Sequence, residues 1–433
     1  MKKVAFYTLG CKVNQYETNA MEKMFTEGGY ETVPFTECAD IYVVNTCTVT
    51  SVADKKSRQM LHRAKKLNPD AITVAVGCMA QMASDDIKKA DMADVIIGTN
   101  HKGDILKAVE DALREKSAVF VQDVSETEVF EETPLDFFEG RERAYIKIQE
   151  GCDRFCTYCI IPYARGAVRS REEKEIIAEA KRLADSGFCE VILTGIHVAS
   201  YGRGKDTNLG ELLKKLSEIE GISRIRMSSV DPVAFTDEFV SVIASLPKVC
   251  PHFHISLQSG SDTVLKKMNR RYTSEEYYGV LCKLREKIPS VSITTDVITG
   301  FPYETEEEFQ KSLEFVRKCG FAAVHIFPYS ERKGTPAAKF SSSVPKSIRA
   351  ERAKKMAEVA AEGKKEFMEK HTGRKMTVLT EQKTKDGFCE GFTENYLKTV
   401  VLGDAEPGRI YEVTIDGIKD DCLEGINPII IDK

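Results

Sequence analysis

The sequence predicts an α/β protein in three parts: an amino-terminal α/β domain on a largely parallel sheet, a partial (β/α)6 barrel, and a small β-barrel at the carboxyl end. Three observations lead there. Short β-rich runs alternate with helical stretches through the first hundred residues, strand–helix repeats resume at Ala144, and from Gly373 only β-rich runs cut by glycines remain. The divisions fall at 1–118, a linker at 119–143, then 144–370 and 371–433.

In the first part the β-rich runs are residues 4–8, 41–45, 72–76 and 95–97, with helical composition around 15–27, 53–67 and 85–89. Three of these runs lead into a cysteine: Cys11, Cys47 and Cys78. Ligands of open α/β sheets collect beyond the carboxyl ends of the strands, so three thiols at equivalent ends predict one three-thiolate site. Small cysteines also fill strand ends as packing, but three in equivalent positions favour the site. The stretch 125–143 holds Glu126, Glu128, Glu131, Glu132, Asp136, Glu139 and Glu142 with Pro134 and little periodicity, and reads as a linker.

From residue 144 the β-rich runs are 145–149, 191–194, 224–228, 254–257, 292–297 and 323–327, with helical stretches such as 172–186 and 274–287 between them. Six units are too few to close an eight-unit barrel. The loop after the first strand reads GCDRFCTYC and sets Cys152, Cys156 and Cys159 at the spacing C-x3-C-x2-C. Structural zinc takes four ligands and an iron–sulfur cube takes four cysteines, so three thiolates in one loop point to a [4Fe–4S] cluster with one iron open to chemistry. The alternative is a zinc knuckle with a distant fourth ligand. Other strand ends carry Thr194, Gly195, Ser229, Gln258 and Asp296, candidates to approach and hydrogen-bond a nucleoside or methionine moiety. Turn chemistry alone also explains glycine and serine at such places.

A lysine-rich helical stretch, 345–371, leads into the tail. Residues 371–433 hold eight Lys/Arg against twelve Asp/Glu, a net −4, so any RNA contact there needs a local face. The whole chain of 433 residues is 42% hydrophobic and 30% charged, with a formal charge of −5, and has room for two or three cores. It shows no cleavable leader after Met1 and no apolar run long enough for a bilayer, so a cytoplasmic setting is expected. In a reducing compartment its 13 cysteines point to metal or redox use.

The stretches CDRFCTYCIIPYARGAVRSR (152–171), HISLQSGSD (254–262) and FPYSERKGTPAA (327–338), in this domain order, resemble the methylthiotransferase branch of the radical S-adenosylmethionine (SAM) superfamily over nearly the full length. Tyr303 departs from the pattern, which usually has glycine there. TLGCKVNQYE (8–17) and NTCTVT (45–50) look like the subgroup acting on N6-threonylcarbamoyladenosine beside the tRNA anticodon. They fit less well the subgroups acting on isopentenyladenosine or on an aspartate of ribosomal protein S12.

The resemblance implies that the tail is a TRAM domain. It implies that Cys152, Cys156 and Cys159 hold a [4Fe–4S] cluster whose open iron is chelated by SAM, with Tyr158 near the adenine. The reduced cluster then cleaves SAM to a 5′-deoxyadenosyl radical. Cys11, Cys47 and Cys78 would hold an auxiliary [4Fe–4S] cluster carrying the sulfur; one SAM methylates it and a second activates carbon 2 of the adenine. That carbon has no acidic proton, so no side chain is assigned as acid or base. The implied partners are tRNA and an electron-donating redox protein, with the enzyme a monomer. A non-catalytic iron–sulfur RNA-binding redox sensor is the competing class, and it leaves the barrel without a purpose.

A threonylcarbamoyl carboxylate needs a cation once desolvated, and Arg165, Arg169 and Arg171 follow the cluster loop. For the tRNA backbone three basic patches qualify: Lys55, Lys56, Arg58, Arg63, Lys65 and Lys66; Lys266, Lys267, Arg270 and Arg271; and the lysines leading into the tail.

Overall fold

The computed structural model describes residues 1–115, 118–135 and 142–431. The linker acids Asp136 and Glu139 lie outside the described residues. The first part is a six-stranded parallel sheet of β1 (Lys3–Thr8), β2 (Glu31–Val33), β3 (Ile41–Thr46), β4 (Ile72–Gly77), β5 (Val95–Ile97) and β6 (Ala118–Phe120), in the order β2-β1-β3-β4-β5-β6. Its helices are α1 (Lys12–Glu27), α2 (Ser51–Leu67), α3 (Cys78–Met82), α4 (Ser84–Lys89) and α5 (Ile105–Glu115). The strands are continuous apolar runs because both faces are covered. Val4, Val43, Val76 and Ile97 meet Met21 and Phe25 of α1 and Val109 of α5. Tyr42, Val44 and Ala75 meet Leu61 of α2 and Met79 of α3. The α2 helix starts where Thr50 Oγ1 accepts the Ala53 N–H at 3.1 Å, an N-cap.

The second part has six parallel strands: β7 (Arg143–Glu150), β9 (Glu190–Gly195), β10 (Arg224–Met227), β11 (His252–His254), β12 (Ser292–Thr299) and β13 (Ala323–Pro328). The two-residue β8 (Arg169–Ser170) lies antiparallel on the outer edge of β7. Hydrogen bonding splits them into β10-β9-β7-β8 and β11-β12-β13. Only isolated pairings such as Ile225 with Val249 and Val230 with Ile255 cross the seam. The run 254–257 is therefore corrected: the strand sits two residues earlier, and beyond Ile255 the chain leaves the ladder toward Gln258, whose φ is +70°. Around the strands lie α6 (Ile161–Arg165), α7 (Glu173–Asp185), α8 (Leu209–Ser217), α9 (Asp237–Ser245), α10 (Asp262–Lys267), α11 (Ser274–Lys287), α12 (Glu306–Cys319) and α13 (Lys346–Glu369). The core under them includes Tyr16 and Ala20 of α1, so one helix is shared by both domains.

The tail closes into a five-stranded barrel, β14-β15-β16-β18-β17, from β14 (Lys375–Lys383), β15 (Cys389–Thr393), β16 (Lys398–Leu402), β17 (Ile410–Lys419) and β18 (Cys422–Ile430). It is docked on the amino ends of the second part's strands. Arg224 donates to the Thr377 carbonyl at 2.8 Å and to the Phe392 carbonyl at 3.2 Å, and Arg226 donates to the Glu394 carbonyl at 3.2 Å. Glu190 counters both guanidinium groups. Among the described residues no helix is long and apolar enough to cross a membrane.

Candidate functional site

Cys11, Cys47 and Cys78 stand just beyond the carboxyl ends of β1, β3 and β4, which are neighbours in the sheet. They converge: Cys47 feels the charges of Cys78 and Cys11, and Cys78 feels that of Cys11. Gly10, at φ +104°, makes room for this, since a Cβ on it would lie 3.0 Å from Cys47 Sγ. In the loop after β7, Cys159 feels Cys156 and Cys152 in the same way. All thirteen cysteines are free. Burial pushes the Cys47 and Cys152 thiols up to about 11 and the Cys159 thiol up to about 12, so each stays protonated at neutral pH unless a metal supplies positive charge. Among the described residues no three or more His, Cys, Asp or Glu groups converge closely enough to hold one metal ion. Each donor set is three thiols, soft ligands of the kind that hold iron–sulfur clusters.

Each triad has one sulfur that accepts an N–H from a buried arginine. Arg165 Nε donates to Cys78 Sγ at 3.2 Å, and Arg270 Nη1 donates to Cys156 Sγ at 3.3 Å. Arg165 also reaches Glu17 of α1 at 2.9 Å and Glu150 at 2.8 Å, while Lys147 pairs with the same two carboxylates and Lys102 with Glu17. Burial alone would raise both carboxyls; Arg165 and the lysines outweigh it, holding Glu17 well below the carboxylate range and Glu150 at about 2. Three cations face two carboxylates in this cage, and the excess charge points at Cys78. A thiolate or an anionic cluster there completes the balance.

Below the strand ends lies a cavity of ≈ 440 Å³, the barrel lumen, floored by Phe392 and Tyr396 of the tail. Lys12, Ser229, His252, His254, Asp296 and His325 line it. His254 Nε2 lies 3.2 Å from Asp296 Oδ2, and His252 stacks on Tyr396 at 4.6 Å. Burial, with Arg143 and Arg226 nearby, lowers the Lys12 ammonium to about 8.

Residues 146–316 match the Radical SAM superfamily and residues 3–98 match the Uncharacterized protein family UPF0004. The chain is 42% identical, over 96% of its length and 94% of the relative's, to the threonylcarbamoyladenosine tRNA methylthiotransferase MtaB of Bacillus subtilis. It is 43% identical to the MtaB of Aquifex aeolicus over 95% of the chain and 100% of that protein. The chain belongs to the radical SAM tRNA methylthiotransferases. It is also 37% identical to a tRNA-2-methylthio-N(6)-dimethylallyladenosine synthase of Clostridium tetani, over 96% of the chain and 94% of that protein. In fold it is similar to the radical SAM methyltransferase TsrM of Kitasatospora setae, solved with cobalamin and a [4Fe-4S] cluster: TM-score 0.56, 16% identity, covering 78% of this chain and 77% of that one.

Within this methylthiotransferase the residues expected to hold SAM divide. Ser229 and Asp296 line the lumen. Tyr158 stands beside Cys159 with its ring edge toward Phe301 at 6.3 Å. Gln258 is buried at a positive φ, its N–H donated to the Asp296 carbonyl at 2.8 Å. Thr194 is buried at the end of β9. Gly195 leaves room for a neighbour: a Cβ there would meet Gln149 at 3.0 Å, and Gln149 braces the cluster loop by donating to the Glu150 and Gly151 carbonyls at 2.6 and 2.7 Å.

The arginine expectation is corrected. Arg165, Arg169 and Arg171 are all buried: Arg165 serves the cage, Arg169 donates to the carbonyls of Thr127, Ala167 and Arg165, and Arg171 pairs with Glu132 and Glu179. The basic patches are also smaller than they read. Asp54 takes Arg58, Asp91 and Asp94 take Lys65, Arg270 turns inward to Cys156, and Lys364 pairs with Asp421. Lys55, Lys56, Arg63, Lys66, Lys266, Lys267 and Arg271 stay exposed. Tyr303 takes φ +69°, the backbone glycine would favour, and sits under Lys267 at 4.7 Å. Of the lumen residues, Lys12 and His254 lie inside the stretches TLGCKVNQYE and HISLQSGSD, which do not single them out, and His252 and His325 carry no motif at all. The alternation His252-Phe253-His254 on a strand, which puts both imidazoles on one face, is the signal that could have found two of them.

Proposed function

We propose that the chain installs a methylthio group on carbon 2 of N6-threonylcarbamoyladenosine beside the tRNA anticodon. Cys152, Cys156 and Cys159 hold one [4Fe–4S] cluster and Cys11, Cys47 and Cys78 the other. When bound, these clusters and SAM supply radical cleavage of SAM, the sulfur atom and its methyl group. What carries the reading is Arg165, whose guanidinium reaches Cys78 on one domain and Glu150, two residues before Cys152, on the other. The two thiol sets therefore share one buried brace. Arg165 and Arg270 give each set one N–H to sulfur, which favours negative charge on the thiolate.

Exposed Phe155 and Tyr163, ring centroids 5.8 Å apart, flank the cluster loop and offer faces on which anticodon-loop bases stack. The 42–43% identity to the threonylcarbamoyladenosine enzymes of Bacillus subtilis and Aquifex aeolicus over nearly the full chain supports the threonylcarbamoyl substrate. A redox protein as electron donor, a monomeric state and a cytoplasmic setting complete the proposal.

Iron and sulfide analysis of anaerobically reconstituted protein tests it, with two triple alanine variants. Replacing Cys152, Cys156 and Cys159 removes half the iron and all 5′-deoxyadenosine formation. Replacing Cys11, Cys47 and Cys78 also removes half the iron but leaves SAM cleavage and stops methylthiolation. Product from the second variant would make that triad structural.

A further inference from the structure

We propose that the barrel lumen receives the threonylcarbamoyl arm of the substrate base, with Lys12 as the residue that reads its carboxylate. This rests on the substrate reading above. Carbon 2 and the N6 substituent of adenine flank N1 on one edge of the ring. An enzyme that presents carbon 2 to the thiol triads must therefore find room for the N6 arm at the same opening.

The lumen has that room. Its ≈ 440 Å³ falls within the range of about 300–1,000 Å³ usual for small-molecule sites. Lys12, the residue after Cys11, lines it together with Ser229, which lies just beyond the carboxyl end of β10.

Lys12 differs from the other inward cations. Arg165, Lys147, Lys102, Arg226 and Arg270 each meet a carboxylate. Lys12 has no hydrogen bond or ion pair among the described residues, and its side chain is accessible inside a recess where Arg143 and Arg226 add like charge that Glu190 offsets only in part. A cation so placed gains most from an anion that arrives with the ligand. The rest of the wall suits a hydroxyl and an amide: Ser229, Asp296 with its His254 partner, and His325 supply acceptors and donors. An isopentenyl arm, wholly apolar, would strip water from these groups and give nothing back, which is how a polar site rejects an analogue.

The test is the affinity of cluster-reconstituted enzyme for anticodon stem-loop RNAs carrying threonylcarbamoyladenosine, its carboxyl-amidated form, isopentenyladenosine or plain adenosine. The wild type should prefer the threonylcarbamoyl RNA over plain RNA by roughly ten- to a hundredfold, the scale of one charge-assisted contact. Amidation of the carboxyl should erase most of that preference. Lys12→Met should erase it too, with plain-RNA and SAM affinity unchanged, while Lys12→Arg keeps part of it. The amidated RNA needs no substitution, so a variant that fails to take up iron leaves the test intact.

Equal binding of the acid and amide forms, or full preference in Lys12→Met, overturns the inference while leaving the substrate reading standing. Loss of SAM affinity with RNA preference intact also overturns it, because Lys12 would then serve the SAM carboxylate. Wild-type preference for the isopentenyl RNA overturns the substrate reading and the inference together.

Discussion

Arg165 joins more of this molecule than any sequence motif announces. It follows the cluster loop, so as a sequence it reads as a cation available to substrate. Its partners Glu17 and Asn14 lie 148 and 151 residues earlier, and only folding brings them near. Removing one partner of a buried ionic set costs about 3–5 kcal/mol. Arg165→Leu is therefore expected to lower unfolding stability by that order and to halve the iron bound at reconstitution, read by denaturant titration and iron assay. Arg165→Lys should rescue little, because an ammonium cannot donate in a fork to Glu17 and Glu150 while also reaching Cys78. Unchanged iron in both variants would show that the cage does not serve the amino-terminal triad. The cysteines, by contrast, are legible directly, since their placement at three strand ends needs only strand order.

The α2 helix carries the best remaining tRNA surface. Lys55, Lys56, Arg63 and Lys66 are exposed on it, whereas Arg58 is held by Asp54, which also pairs with Arg332 of the second part at 3.0 Å. Neutralising Lys55 and Lys56 should weaken binding of all tRNAs alike. The log–log salt slope should fall by roughly 0.7–0.9 for each phosphate left without its cation. Arg58→Gln should instead loosen the Asp54 contact and leave the slope unchanged; filter binding across a salt series distinguishes the two.

Elements of this kind are mostly readable from sequence. Long apolar runs show β1, β3, β4 and β12, and the lysine-rich stretch shows α13. Three-residue edge strands do not show: β2 is Glu-Thr-Val with two exposed positions, too short and polar for a periodic signal. The β18 strand, which closes the tail barrel, contains Gly425, Asn427 and Pro428 and reads as a turn. The charges of α2 are visible in the sequence, but not the partners that silence two of them.

The three parts are fastened at two levels, by the Arg165 cage near the triads and by Glu190 with Arg224 and Arg226 at the tail. Burial alone would raise the Glu190 carboxyl, but Arg226, Arg224 and Arg143 outweigh it and hold it at about 2. Because its folded value lies below its unfolded one, its contribution is fully present above about pH 4.5. It is lost as pH falls toward 2. Acid should therefore release the tail barrel, detected as new proteolysis between α13 and β14, and Glu190→Gln should move that release to higher pH. A tail equally protected in both proteins at about pH 3, between the folded and unfolded values, would contradict this.

Whether both thiol triads serve methylthiolation of N6-threonylcarbamoyladenosine is decided by mass spectrometry of tRNA nucleosides, after incubation of reconstituted enzyme with SAM, a reductant and tRNA bearing that nucleoside. Its 2-methylthio derivative should accumulate, and should vanish when either cysteine triad is replaced. SAM cleavage without that product, or methylthiolation of isopentenyladenosine alone, would contradict it.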